Sequence, residues 1–213
     1  MSNTADLCIS RRLLLAGLGS LAATPAFAAP PVVTVLGDSI TAGWGLPASA
    51  SLPVQLETEL RRLGRPARVR GAGVSGDTTS GGLARVDFSV RKDTAVCVVA
   101  LGGNDLLMGE GPKVVRANLR QIIHKLQARG VTVVLAGMRA PEQLGGAYAR
   151  EFNAVFRQLA RTKGVVSYPN LLDGVVGIRS LNQRDGIHPN AAGVKVIARG
   201  LAPAVAKALA VRR

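Results

Sequence analysis

Apolar residues occur in this chain in two alternating arrangements, short unbroken runs and longer stretches with helical spacing. The clearest runs are Val32-Val33-Thr34-Val35-Leu36, Ala95 to Leu101 and Val131 to Ala136; the first two lead directly into glycine. Continuous β-branched and aliphatic runs of this length predict buried strands. Val165-Val166 predicts a further short strand, and Ala67-Arg68-Val69-Arg70 a weak one. Between them, Leu52 to Leu63 carries apolar residues at Leu52, Val54, Leu56 and Leu60 and stops at Gly64, a rough helix. Val114 to Ala128 repeats them at Val115, Leu119, Ile122, Ile123 and Leu126, the spacing of an amphipathic helix. Helices are also predicted over Leu83 to Val90, Tyr148 to Thr162, and from Pro189 towards Ala210 with a bend at Pro203. Gly71 to Gly82, which holds five glycines, predicts a loop.

Strand and helix alternate, and the strands are apolar throughout rather than at every second position. That combination predicts an α/β domain with a parallel sheet covered on both faces. Ligands of such sheets bind beyond the carboxyl ends of the strands. The length of 213 residues suits one domain.

The first residues stand outside this pattern. Arg11-Arg12 precede an apolar stretch, Leu13 to Ala28, that ends in Ala26-Phe27-Ala28. A basic start, a short apolar middle and an A-x-A end predict a cleavable signal peptide over residues 1–28, leaving a single domain over 29–213 exported to the periplasm or beyond. Ser10-Arg11-Arg12-Leu13-Leu14 also fits a twin-arginine signal. The stretch contains Gly17, Gly19 and Pro25 and falls short of the ~20 residues of a spanning helix, so stable membrane insertion is not expected.

Charge adds one more fact. The chain has 27 basic and 13 acidic residues; loss of Arg11, Arg12 and Asp6 leaves 25 against 12, a net +13. Such a balance attracts anionic lipid surfaces, but no block of like charges marks a nucleic-acid site, and 3% aromatics excludes a stacking platform. No nucleic-acid partner is expected, and the protein is expected to be a monomer. Cys97 is the one cysteine beyond residue 28 and reads as a small core hydrophobe, which leaves no internal disulfide. With one such cysteine and two histidines, no zinc set of the usual kind is available, and neither metal nor cofactor is expected.

Four polar groups fall where the strand rule places a site: Gly37-Asp38-Ser39, Ser75-Gly76-Asp77-Thr78, Gly102-Gly103-Asn104-Asp105 and Asp185-Gly186-Ile187-His188-Pro189. Their chemistry is that of acyl transfer. A serine hydroxyl needs an adjacent base, and histidine is the natural one near neutral pH. The far ring nitrogen of that histidine is usually held by a carboxylate, and Asp185 stands three residues before His188 across a glycine turn. The tetrahedral intermediate requires donors, which a close-approaching backbone at Gly76 and the amide of Asn104 would provide. Asp38, Asp77 and Asp105 read as loop-bracing groups, Asp105 on the Gly102–Asn104 turn. His124, opposite the apolar stripe of its helix, reads as exposed.

These blocks, in this order, resemble the four blocks of the GDSL/SGNH hydrolase family, with Ile40 in place of the leucine of the family's name. Ser75-Gly76-Asp77-Thr78, Leu101-Gly102-Gly103-Asn104-Asp105 and Asp185-Gly186-Ile187-His188-Pro189-Asn190 are similar to the thioesterase I/lysophospholipase L1/arylesterase group within it. The resemblance implies a flavodoxin-like three-layer α/β/α fold and a serine hydrolase of esters or thioesters. It implies Ser39, Asp185 and His188 as catalytic residues, with an oxyanion hole from the Ser39 and Gly76 backbones and the Asn104 side chain. The expected substrate pocket draws on Leu106, Leu107, Met108 and Leu144, from the loops Leu106–Pro112 and Arg139–Ala147. A carbohydrate or peptidoglycan O-acetylesterase with the same machinery, and a non-catalytic basic envelope-binding protein, remain open at this point. Leaving group and acyl length are not readable from these residues.

Overall fold

A computed structural model describes residues 29–211; the expected signal segment lies outside the described residues. Five parallel strands form one sheet: β1 (Val32–Gly37), β2 (Arg68–Gly73), β3 (Thr94–Ala100), β4 (Thr132–Ala136) and β5 (Val165–Tyr168), in the order β2-β1-β3-β4-β5. The three unbroken apolar runs are the central strands, and all seven residues of β3 are buried. The two weak strand signals are the edges, where one side of each strand lacks a partner and fewer positions are covered. Burial on both faces therefore wrote itself into the composition of β1, β3 and β4 and not into that of β2 and β5.

The helices are α1 (Ser39–Ala42), α2 (Leu52–Arg62), α3 (Thr79–Ser89), α4 (Gly103–Leu107), α5 (Pro112–Ala128), α6 (Gly146–Leu159) and α7 (Ala191–Val211). α2 packs on α7 in one layer, while α3, α5 and α6 pack in sequence in the other. The stripe Val115, Leu119, Ile122, Ile123 and Leu126 is the buried face of α5. Cys97 is fully buried in β3, and burial pushes its thiol up to about 12, so it is inert. The α/β/α architecture expected from the resemblance is the architecture observed.

Two local expectations change. The glycine-rich stretch is only partly loop: β2 runs on through Gly71, Ala72 and Gly73 in parallel register with Val35, Leu36 and Gly37. α3 begins at Thr79, not Leu83, because the Thr78 hydroxyl caps it by accepting the Gly81 N–H. Pro203 lies inside α7, which is helical from Ala191 to Val211. The single-turn helices α1 and α4 were not predicted; four and five residues are too few for periodicity to register.

Candidate active site

In an order 2-1-3-4-5 sheet the chain turns to opposite sides after β1 and β3, and the crevice opens between their carboxyl ends. β1 delivers Ser39 there and β3 delivers Asn104. Ser39 is the first residue of α1 and only 8% exposed. Asp38 caps that turn, its Oδ1 accepting the Ile40 N–H at 3.0 Å. α1 lies hard against the end of β2: a Cβ at Gly73 would stand 2.4 Å from the Ala42 nitrogen and 2.7 Å from the Asp38 carbonyl oxygen. Only glycine permits this approach, which sets the height of Ser39 above the sheet.

His188 arrives from the far end of the chain, and its orientation is local in origin. Asp185 Oδ1 accepts the backbone N–H groups of Ile187 (2.9 Å) and His188 (3.0 Å), which folds the loop back on itself. The other carboxylate oxygen then stands 2.7 Å from His188 Nδ1. The His188 backbone N–H, its ring and the Ile187 N–H together hold the Asp185 carboxyl down at about 2, so it is an ionised acceptor at any working pH. An ionised acceptor requires the proton on Nδ1, which leaves the Nε2 lone pair to accept the Ser39 hydroxyl at 2.9 Å.

Residues without any motif hold this loop in place. Gln183 donates from its amide to the carbonyls of Trp44 (2.8 Å) and Pro189 (3.0 Å), and its backbone N–H donates to the His188 carbonyl. The Trp44 ring lies 6.3 Å from that of His188. Neither was singled out from sequence, since a lone glutamine or tryptophan carries no spacing signal.

The two loops expected to donate to an oxyanion are tied together. Asn104 Nδ2 donates to the Asp77 carbonyl at 2.8 Å, using one of its two hydrogens. Gly76 adopts φ +79° with open space where a Cβ would sit, a conformation suited to glycine. Among the described residues, the backbone N–H groups of Ser39 and Gly76 have no acceptor. Asp77 braces its loop as expected, through Arg85 at 2.7 Å. Arg85 was missed; it also donates to the carbonyls of Ala72 and Gly37 (2.9 Å each), joining the ends of β1 and β2 to the Gly76 loop. Asp105 does not hold its own turn. It is buried, and its carboxylate accepts the Thr79 N–H (2.8 Å) and hydroxyl (2.5 Å), pinning the start of α3 to α4.

A family model described as the GDSL-like lipase/acylhydrolase family matches residues 35–196, a span that includes all four loops. The chain belongs to this family. It is similar to the esterase TesA of Pseudomonas aeruginosa, 37% identical over 84% of this chain and 90% of that protein. It is also similar to thioesterase 1/protease 1/lysophospholipase L1 of Escherichia coli strain K12, 35% identical over 76% of this chain and 77% of that one. Among solved structures, AlinE4, described as an SGNH-hydrolase family esterase, superposes with a TM-score of 0.72 at 42% identity, covering 86% of this chain and 99% of that chain.

This GDSL-type ester hydrolase carries a cavity of about 370 Å³ beside Ser39. Leu106 and Leu107 line it, together with Arg139 and Pro141 from the loop after β4. Met108 and Leu144 do not. Met108 ends α4 and is 69% exposed; Leu144 sits in the turn after Pro141, which takes the wall position, and is 52% exposed. The missing wall comes from Leu172 and Val176 after β5, and from Ile187. Asn104 lines the same cavity, whereas Gly76 stands outside its lining. His124 is exposed on α5 and does not line this cavity.

Asp38 makes the site pH-sensitive in stability. Burial pushes its carboxyl up to about 6, against the hydrogen bond from Ile40 and the nearby His188. Because the folded value lies above the ordinary 3.8, the folded state is favoured at low pH and that advantage is lost as pH rises through 6. Asp38→Asn, which keeps an acceptor for Ile40, is expected to gain stability relative to wild type from pH 4 to pH 8, on the order of 2–3 kcal/mol. Thermal melts across that range test it; parallel curves for the two proteins would remove burial of this carboxylate as the cause.

Proposed function

We propose that Ser39 is the nucleophile, His188 its general base and Asp185 the group that orients and charge-stabilises the imidazole. The observation that carries this is the continuous relay from Asp185 Oδ2 to His188 (2.7 Å) and from His188 Nε2 to Ser39 Oγ (2.9 Å). Ser39 Oγ attacks the acyl carbonyl carbon as its proton passes to Nε2. The carbonyl π electrons move onto oxygen, where the Ser39 and Gly76 N–H groups and the free Asn104 amide hydrogen receive them. One such donor is worth about 3–4 kcal/mol of barrier. The intermediate collapses, the bond to the leaving group breaks, and His188 returns its proton to that group. Water, deprotonated by His188, then releases the acid from Ser39.

The substrates are esters and thioesters of apolar acyl groups, which the enzyme meets in the periplasm or beyond once it is exported and residues 1–28 are removed. Ile40, Leu106, Leu107, Leu172, Val176 and Ile187 offer a mostly apolar wall beside the nucleophile, far more than an acetyl group covers. The relative named thioesterase 1/protease 1/lysophospholipase L1 fits the same breadth of leaving group. This weighs against a dedicated sugar O-acetylesterase, and the complete relay weighs against a non-catalytic binding protein.

A fluorophosphonate probe tests the assignment directly, because attack by an activated serine on phosphorus expels fluoride and leaves a stable adduct. One adduct per chain is expected, on the peptide carrying Ser39, absent in Ser39→Ala and strongly slowed in His188→Ala. Labelling elsewhere, or none in active enzyme, would refute it.

A further inference from the structure

A second cavity, of about 520 Å³, opens beside the first between α6 and the carboxyl ends of β4 and β5. It has an unusual charge. Arg139, Arg157 and Arg161 line it, and no acidic residue does. Arg157 lies in the last turn of α6, and Arg161 stands in the turn just beyond the helix end at Leu159; both line this cavity. Arg139 comes from the loop after β4, which is held against α6. Asn153, one turn before Arg157, donates to the Ala140 carbonyl (3.0 Å) and accepts the Ala140 N–H (2.8 Å). Among the described residues, none of the three arginines has a carboxylate within 4 Å. Every other cavity feature is a neutral polar group or an apolar wall: Ser167 and Asn170 on one side, Leu135 and Phe156 behind.

Three positive charges facing one concavity without a counter-ion repel one another and focus a positive potential into it. An anion that bridges them relieves that repulsion, and guanidinium forks suit the oxygens of a phosphate. The cavity also adjoins the catalytic one. Met138, Arg139 and Asn170 line both. A substrate whose acyl group lies on the apolar wall beside Ser39 therefore has this cationic cleft as the neighbour of its binding site.

We propose that the cleft formed by Arg139, Arg157 and Arg161 is a leaving-group subsite that binds a phosphate carried by the substrate. The proposal rests on the assignment of Ser39 as nucleophile, and predicts specificity for phosphate-bearing alcohols or thiols over neutral ones with the same acyl chain. Two sources share this chemistry, a phosphorylated thiol and the headgroup of a lysophospholipid.

The experiment compares wild type with Arg157→Gln/Arg161→Gln; Arg139 is left in place because it also lines the catalytic cavity. In one arm, octanoyl-coenzyme A is compared with the octanoyl thioester of N-acetylcysteamine, which has the same acyl and thioester groups and no phosphate. In the other, a lysophosphatidic acid is compared with the monoacylglycerol of the same chain. The ratio of kcat/KM, phosphorylated over neutral, is expected to fall about tenfold in the double variant, through KM, and the difference should shrink in ~1 M salt as charges are screened. A fall in the first arm identifies a phosphorylated thiol, and one in the second a lipid headgroup. Arg157→Lys/Arg161→Lys is expected to recover part of the ratio, since charge returns without the fork. An unchanged ratio in both arms overturns the subsite, and so does inhibition by inorganic phosphate alone with no change in either ratio. Turnover of the neutral thioester reports folding and the Ser39 chemistry separately: its loss in Ser39→Ala belongs to the catalytic assignment and not to the subsite.

Discussion

Ser39→Ala is expected to lower kcat on p-nitrophenyl butyrate by about 10⁵-fold or more, and His188→Ala by a similar factor. The relay explains both the size and the similarity. Without Oγ there is no acyl-enzyme, and without Nε2 the hydroxyl that remains is a weak nucleophile at neutral pH. Each change removes the same covalent pathway, so Ser39→Ala/His188→Ala should be hardly worse than either single variant. The residual rate comes from the oxyanion donors and the cavity, which neither substitution touches. Asp185→Asn should also cost orders of magnitude, because an amide in place of the carboxylate loses the charge that favours the imidazolium and can present an N–H to Nδ1, selecting the wrong tautomer. Steady-state kinetics on the four variants checks this. Independent, multiplying losses would contradict a single relay, and an Ser39→Ala enzyme as fast as wild type would remove Ser39 from the mechanism.

Asp105→Ala carries the second large effect, and it acts on stability and turnover together. The carboxylate is buried and receives both donors of Thr79, itself fully buried, while the Asn118 amide donates to the same Thr79 hydroxyl at 3.1 Å. Removing the acceptor leaves a buried N–H and a hydroxyl without their partner. The expected loss is about 3 kcal/mol, a fall in Tm of roughly 6–12 °C for a domain of this size. Asp105 is also the residue next to Asn104, and Thr79 begins the helix that follows the Gly76 loop. The variant should therefore lose about tenfold or more in kcat at temperatures where it is still folded. Asp105→Asn retains one acceptor and should fall between. Calorimetry beside kinetics at 15 °C decides it: a normal Tm would contradict the buried network, and a lowered Tm with wild-type kcat would uncouple it from the donor loops.

How legible each element is in the sequence depends on what stabilises it. The apolar runs of β1, β3 and β4 were legible because burial on both faces leaves no polar position. The extension of β2 through Gly71 and Gly73 was not, because those glycines answer to Pro53 and the α1 backbone lying against them, contacts that local propensity does not register. Asp105 braces Thr79, 26 residues away, rather than its own turn, a partner that no local spacing marks. Met108 and Leu144 were assigned to the pocket because they are apolar and near Asn104 and Pro141 in sequence, while Leu172 and Val176 carry no motif at all.

What the sequence determined alone is the local chemistry. Asp185 and His188 are three residues apart, and a single glycine turn with two backbone hydrogen bonds is enough to join them, so residue types and spacing contain the answer. The apolar strand pattern likewise determined the sheet and the edge at which chemistry occurs. Only the tertiary structure decided that His188 meets Ser39, 149 residues earlier, at 2.9 Å. It alone decided which apolar side chains wall the cavity and that Arg139, Arg157 and Arg161 face one cleft. The reason is physical: a turn is specified by neighbouring residues, whereas a wall or a charge cluster is specified by the packing of whole strands and helices, whose contacts leave no fixed spacing in the chain.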